Sequence, residues 1–98
     1  MVIGDNVKRI GASAFLNCFK LESVSLGKVE EMEEYAFYSC TALESIFIPD
    51  TVSRVGVWAF YGCTRLKINC EADVQPDGWH VNWNESGCPV IWESKADK

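Results

Sequence analysis

The sequence predicts an α/β solenoid: about three stacked coils, each giving one strand to a shared parallel sheet and a short helical or 3₁₀ turn behind it, closed by a C-terminal cap. Three observations predict it. The stretches "AFLNC" at 14–18, "AFYSC" at 36–40 and "AFYGC" at 59–63 are near-copies. Apolar positions before and after each copy recur at the same intervals. Residues 71–92 lack the motif and carry Trp79, Trp83 and Trp92. A unit this short cannot bury its apolar side alone, so copies must stack and the last one must be covered.

Aligned on Cys18, Cys40 and Cys63, the copies lie 22 and 23 residues apart. Phe15, Phe37 and Phe60 keep these intervals, as do Leu21, Leu43 and Leu66. The upstream pairs Val7 and Ile10, Val29 and Met32, and Val52 and Val55 do the same. The chain reads as one domain over 1–98, with repeats at about 3–25, 26–47 and 48–70, a cap over 71–92 and a polar tail over 93–98. The second repeat is one residue shorter, at a turn where "LGKV" stands against "IGDNV" and "IPDTV".

Within each repeat the period changes. "LESVSL", "LESIFI" and "LKINC" alternate apolar and polar residues and are rich in β-branched side chains, which predicts strands. Gly27 and Pro49 close the first two. The other half, as in "VKRIGASAFLNC", spaces apolar residues closer to a helix, with Gly11 and Gly56 interrupting. It reads as a second short extended piece followed by one tight helical turn. If Val24, Leu26, Ile46, Ile48, Ile68 and Cys70 face inward, then Ser23, Ser25, Ser45, Phe47, Lys67 and Asn69 form an outward ladder. That ladder is the candidate binding surface, with Phe47 as its apolar anchor. Tyr35 and Trp58 share a second repeated position, and Tyr38 and Tyr61 a third.

In the cap, Trp79 and Trp83 are four apart and fit one face of a short helix, and "PVIW" reads as a last strand. Their aromatic bulk suits the end of a core; a sugar-binding platform is the alternative reading. Three of the five cysteines repeat at one inward position and read as buried thiols. Cys70 and Cys88 are candidates for a disulfide closing a loop of about 18 residues, worth on the order of 3 kcal/mol in an oxidising compartment.

The bulk numbers narrow the function. With 48% apolar and 23% charged residues the chain suits a folded domain. A formal charge of −5 and scattered basic residues point away from nucleic acid. No apolar run reaches the ~18–20 residues that span a bilayer, so no membrane insertion is expected. No basic leader followed by an apolar stretch precedes the first repeat, and the start in mid-pattern reads as a fragment. His80 is the only histidine. Ser86 and Asp77 accompany it by proximity alone, so no catalytic site is assigned. "EEMEE" at 30–34 lacks the spaced pattern of a calcium loop. Asn84-Glu85-Ser86 matches a glycosylation acceptor, and neither a metal site nor a cofactor motif is found.

Taken together, "LESIFIPDTVSRVGVWAFYGC" from Leu43 to Cys63 resembles the leucine-rich repeats of the BspA-like, or Treponema-type, class. The resemblance covers about residues 3–70, and "CEADVQPDGWHVNWNESGCPVIW" is similar to the segment that follows the last such repeat. Met32-Glu33 departs from the usual Ile-Gly, and the third strand is a residue short. The resemblance implies a right-handed α/β leucine-rich repeat solenoid with its sheet on the concave face. It implies a cell-surface or secreted protein that binds a protein partner, such as a host or extracellular-matrix protein, in adhesion. A spacer stalk with no ligand of its own is the alternative. The open first coil is expected to allow self-association through its edge strand.

Overall fold

A computed structural model describes residues 1–94; the last four residues of the expected polar tail lie outside the described residues. Among the described residues, the first six of seven short strands alternate between two all-parallel sheets, and the seventh joins the same sheet as the sixth. One contains β1 (Arg9–Ile10), β3 (Glu31–Met32) and β5 (Arg54–Val55). The other contains β2 (Ser23–Ser25), β4 (Ser45–Ile48), β6 (Lys67–Cys70) and β7 (Val90–Ile91). The repeat interval is the register: Ser23 pairs with Ser45 and Ser45 with Lys67, while Arg9 pairs with Glu31 and Glu31 with Arg54. The missing residue of the third repeat is absorbed before β6, so Ile46 still meets Ile68. At the other edge Val2 bridges to Ser25, adding a partial strand beyond β2.

The α/β expectation is corrected: no helix of α or 3₁₀ type occurs among the described residues. Each "AF" segment is a run of turns. Ala14, Leu16 and Cys18 donate their N–H groups three residues back, to Gly11, Ser13 and Phe15. Ser13, Phe15 and Asn17 instead donate to Glu34, Ala36 and Tyr38 of the next coil. The second coil repeats this toward Val57, Ala59 and Tyr61. A helix would keep all these donors to itself. Left-handed residues at Ser13 and Asn17, Tyr35 and Ser39, and Trp58 and Gly62 turn alternate N–H groups outward, which makes the turn side a third ladder of hydrogen bonds between coils.

The recurring Phe-x-x-Cys now has a physical cause. Phe15 stacks on Phe37 at 5.0 Å and Phe37 on Phe60 at 5.5 Å, within 4° and 6° of parallel. The Phe15 carbonyl accepts the N–H of Cys18 and, at 3.0 Å, the thiol of Cys40 from the next coil. The Phe37 carbonyl does the same for Cys40 and Cys63. A small apolar side chain with one weak donor is what this inward position takes.

The stack has four coils rather than about three, because the cap folds as a degenerate fourth. Val90 and Ile91 pair with Ile68 and Asn69. Trp83 replaces the phenylalanine and meets Phe60 edge to face at 6.2 Å. The short helix expected at Trp79 and Trp83 is a pair of turns, closed by bonds from Trp79 to Pro76 and Trp83 to His80. Both indole N–H groups are satisfied, by the Val52 carbonyl and by Gln75 Oε1.

One position tests the spacing between coils. A Cβ on Gly56 would lie 2.5 Å from the Glu34 nitrogen of the second coil, whereas one on Gly11, at the same repeat position, would meet nothing within 4 Å. Gly56→Ala is therefore expected to destabilise by roughly 1–3 kcal/mol through overpacking. Gly11→Ala should stay within about 0.5 kcal/mol of the parent in urea denaturation. Equal effects of the two would contradict the stacked geometry.

Candidate functional site

Strand alternation puts Val24, Ile46 and Ile68, followed by Leu26, Ile48 and Cys70, into the core, all 6% exposed or less. Their neighbours then stand on the outer face of the four-stranded sheet. All six residues expected on the outward ladder lie there, in two rows across the strands. Ser23, Ser45 and Lys67 form one row, and Ser25, Phe47 and Asn69 the other. The serines and Lys67 are exposed, and Phe47 and Asn69 are half-buried.

Register extends the second row beyond what the ladder contained. Ile91 follows Asn69 on β7, and Val2 precedes Ser25. Both are open, at 45% and 81% exposure. Their signals were present, since "VIG" at 2–4 copies "SLG" at 25–27 and "PVIW" reads as a strand. The row thus runs Val2, Ser25, Phe47, Asn69, Ile91, with apolar groups at both ends and the centre. Beside it lies a shallow groove of about 510 Å³ lined by Ser23, Ser25, Gly27, Phe47, Pro49 and Glu71. Such a surface can seat an extended chain, with Phe47 covering apolar side chains, hydroxyl and amide groups meeting polar ones, and Lys67 offering a positive charge from the neighbouring row.

The remaining candidates are engaged elsewhere. His80 is exposed, and its Nδ1 accepts the Asn82 N–H. Ser86 Oγ accepts the Gly62 N–H, so histidine and serine serve separate local contacts. Asn84 clamps the backbone of Cys88 through both ends of its side-chain amide. In "EEMEE", Glu30 pairs with Lys8, and Glu31 and Glu33 with Arg9.

The Cys70–Cys88 disulfide is corrected: all five cysteines are free thiols. Register explains why. With Ile68 opposite Val90, Cys70 falls opposite Trp92 and Cys88 opposite Leu66, four positions along the strand. At ~3.3 Å per residue that is about 13 Å, beyond the ~7 Å Cα limit of a disulfide. Cys88 instead joins the thiol column, its Sγ reaching the Cys63 carbonyl at 3.5 Å. Burial pushes the Cys70 thiol up to about 12. The hydrogen bond shared by Cys40 and Cys63 lowers the first thiol and raises the second, burial further raising Cys63. Both side chains are fully enclosed, so enclosure governs their reactivity. Native labelling with a soluble disulfide reagent should therefore give one fast thiol, Cys18, and four that react only on unfolding. Fast labelling of Cys40 or Cys63 would contradict the closed column.

No described helix is long and apolar enough to cross a membrane. No curated protein and no solved structure matches the chain. Residues 1–75 match the family described as a BspA-type leucine-rich repeat region of six copies, and the chain, with its periodic Phe-x-x-Cys coils and parallel sheets, belongs to that family.

Proposed function

We propose that the chain is a non-enzymatic protein-interaction module that holds its partner on the outer face of the four-stranded sheet. The observation that carries this is the row Val2, Ser25, Phe47, Asn69 and Ile91. Apolar groups there stand at regular spacing on the outer face of the four-stranded sheet, while the outer face of the three-stranded sheet carries the charged Arg9, Glu31 and Arg54; a solenoid's sheet is the surface such repeats use for partners. The family resemblance supports a setting at the cell surface or in secretion, and a host or extracellular-matrix protein as the partner.

The test separates binding from folding. Ala at Phe47, Lys67 and Asn69 together should abolish capture of a matrix-protein partner while shifting the melting temperature little, because none of the three lies in the closed core. A triple variant that binds as well as the parent would reject the sheet face. No capture by the intact chain across a matrix-protein and glycan screen would favour a spacer stalk.

A further inference from the structure

A second surface lies on the turn side, apart from the sheet face, so its failure in a test leaves the sheet reading intact. Tyr35, Tyr38, Trp58 and Tyr61 form one cluster there. Trp58 stacks on Tyr61 at 4.5 Å and Tyr38 on Tyr61 at 5.6 Å. Tyr35 stands out of the stack, at 87° to Tyr38 and 62° to Trp58. The rings lie outside the core, since Ala36, Phe37, Ala59 and Phe60 behind them are fully buried while Tyr35 remains 37% exposed.

Backbone conformation makes this cluster unusual. Tyr35 and Trp58 have φ of 59° and 55°, in the left-handed region that bulky side chains disfavour. The fold requires that conformation but not an aromatic ring, because Ser13 takes φ 57° at the same place in the first coil. Rings held at a strained position outside the core point to use rather than to packing.

Charge selects the occupant. Glu85 lines the same groove of about 470 Å³ as Tyr61, whereas Glu34, next to Tyr35 in the chain, lines a separate groove with Arg54 and His80. Neither carboxylate belongs to an ion pair among the described residues, in a chain of net charge −5. The three tyrosine hydroxyls make no hydrogen bond among the described residues. Aromatic faces, the Glu85 carboxylate and phenol oxygens together match a guanidinium, which is planar, cationic and only a donor. We propose that this ridge binds arginine side chains of an extended basic segment in a partner protein.

The experiment titrates the full chain with a short capped arginine-rich peptide, its lysine counterpart and a neutral glutamine peptide, following the Trp58 indole resonance. The arginine peptide is expected to bind most tightly and to shift that resonance. Tyr35→Asn with Trp58→Asn should weaken it by at least about tenfold and keep or raise the melting temperature, since asparagine accepts left-handed backbone readily. Glu85→Gln should weaken it and flatten its salt dependence. Three results would overturn the proposal: equal binding of arginine and glutamine peptides, full arginine binding by the double asparagine variant, or a large fall in that variant's melting temperature.

Discussion

Phe37→Ala is expected to cost about 3–5 kcal/mol, the range for truncating a fully enclosed aromatic side chain. Phe37 has no exposed surface and is the only ring of its column with a parallel neighbour on both sides, Phe15 and Phe60. Its removal leaves a void between two coils held apart by hydrogen-bond ladders on three sides, so collapse into the space is restricted. Cys40 and Cys63, whose hydrogen bonds anchor on the Phe15 and Phe37 carbonyls, line the same column. Since a domain of this kind has roughly 5–15 kcal/mol in total, the variant should melt far below the parent or be unfolded at room temperature. Phe15→Ala makes an internal comparison: Phe15 is half-buried, with only one ring beside it, and should cost clearly less. A loss under about 1 kcal/mol at Phe37 in chemical denaturation would contradict the stacked core.

What the sequence revealed depended on whether a feature repeats. Phe15, Phe37 and Phe60 could be matched by interval alone, and so could the alternation that sends Ser23, Ser45 and Lys67 outward. Local backbone geometry was hidden, because the left-handed position is occupied by Ser13, Tyr35 and Trp58, none with the glycine that usually marks such a turn. Apolar spacing through "VKRIGASAFLNC" then looked partly helical. Only the hydrogen bonds running between coils show that the segment is a ladder. The three-stranded sheet was visible only as short extended pieces, since two-residue strands such as Arg9–Ile10 carry too little alternation to announce pairing.

The fourth coil was obscured by its own irregularity. Trp83 lies 23 residues after Phe60, in step with the repeat, but Cys88 lies 25 after Cys63. The drift breaks the Phe-x-x-Cys signature while leaving the strand at Val90–Ile91 in register. The same drift made Cys70 and Cys88 look like partners in a loop, when register separates them along the strand. For the outer face, the six outward residues followed from alternation. Ile91 and Val2 required knowing which residue each strand pairs with.

Removing residues 71–98 should convert the chain into an aggregating species. Trp79 and Trp83 are 5% and 4% exposed, and two buried tryptophans take on the order of 300–500 Å² out of water. At ~25 cal/mol per Å² that is about 8–12 kcal/mol before the cost of ordering the segment, comparable with the whole stability of a small domain. The deletion also uncovers Phe60, Cys63, Ile68 and the open edge of β6, whose Ile68 N–H donates to Pro89 in the intact chain. The first coil already exposes Val2, Val7, Leu16 and Phe19 on the opposite side. A chain spanning residues 1–98, with these groups exposed on its first coil and tryptophan covering the last, is expected to associate in closed pairs. A truncated molecule has two unlike open ends, and head-to-tail contact between unlike ends grows without closing. Sedimentation velocity should show the intact chain stopping at monomer and dimer as concentration rises, and the truncated chain spreading into large species. A truncated chain that stays monomeric and melts cooperatively would show that the third coil needs no cover, and that the tryptophan-bearing fourth coil is an appendage rather than the end of the core.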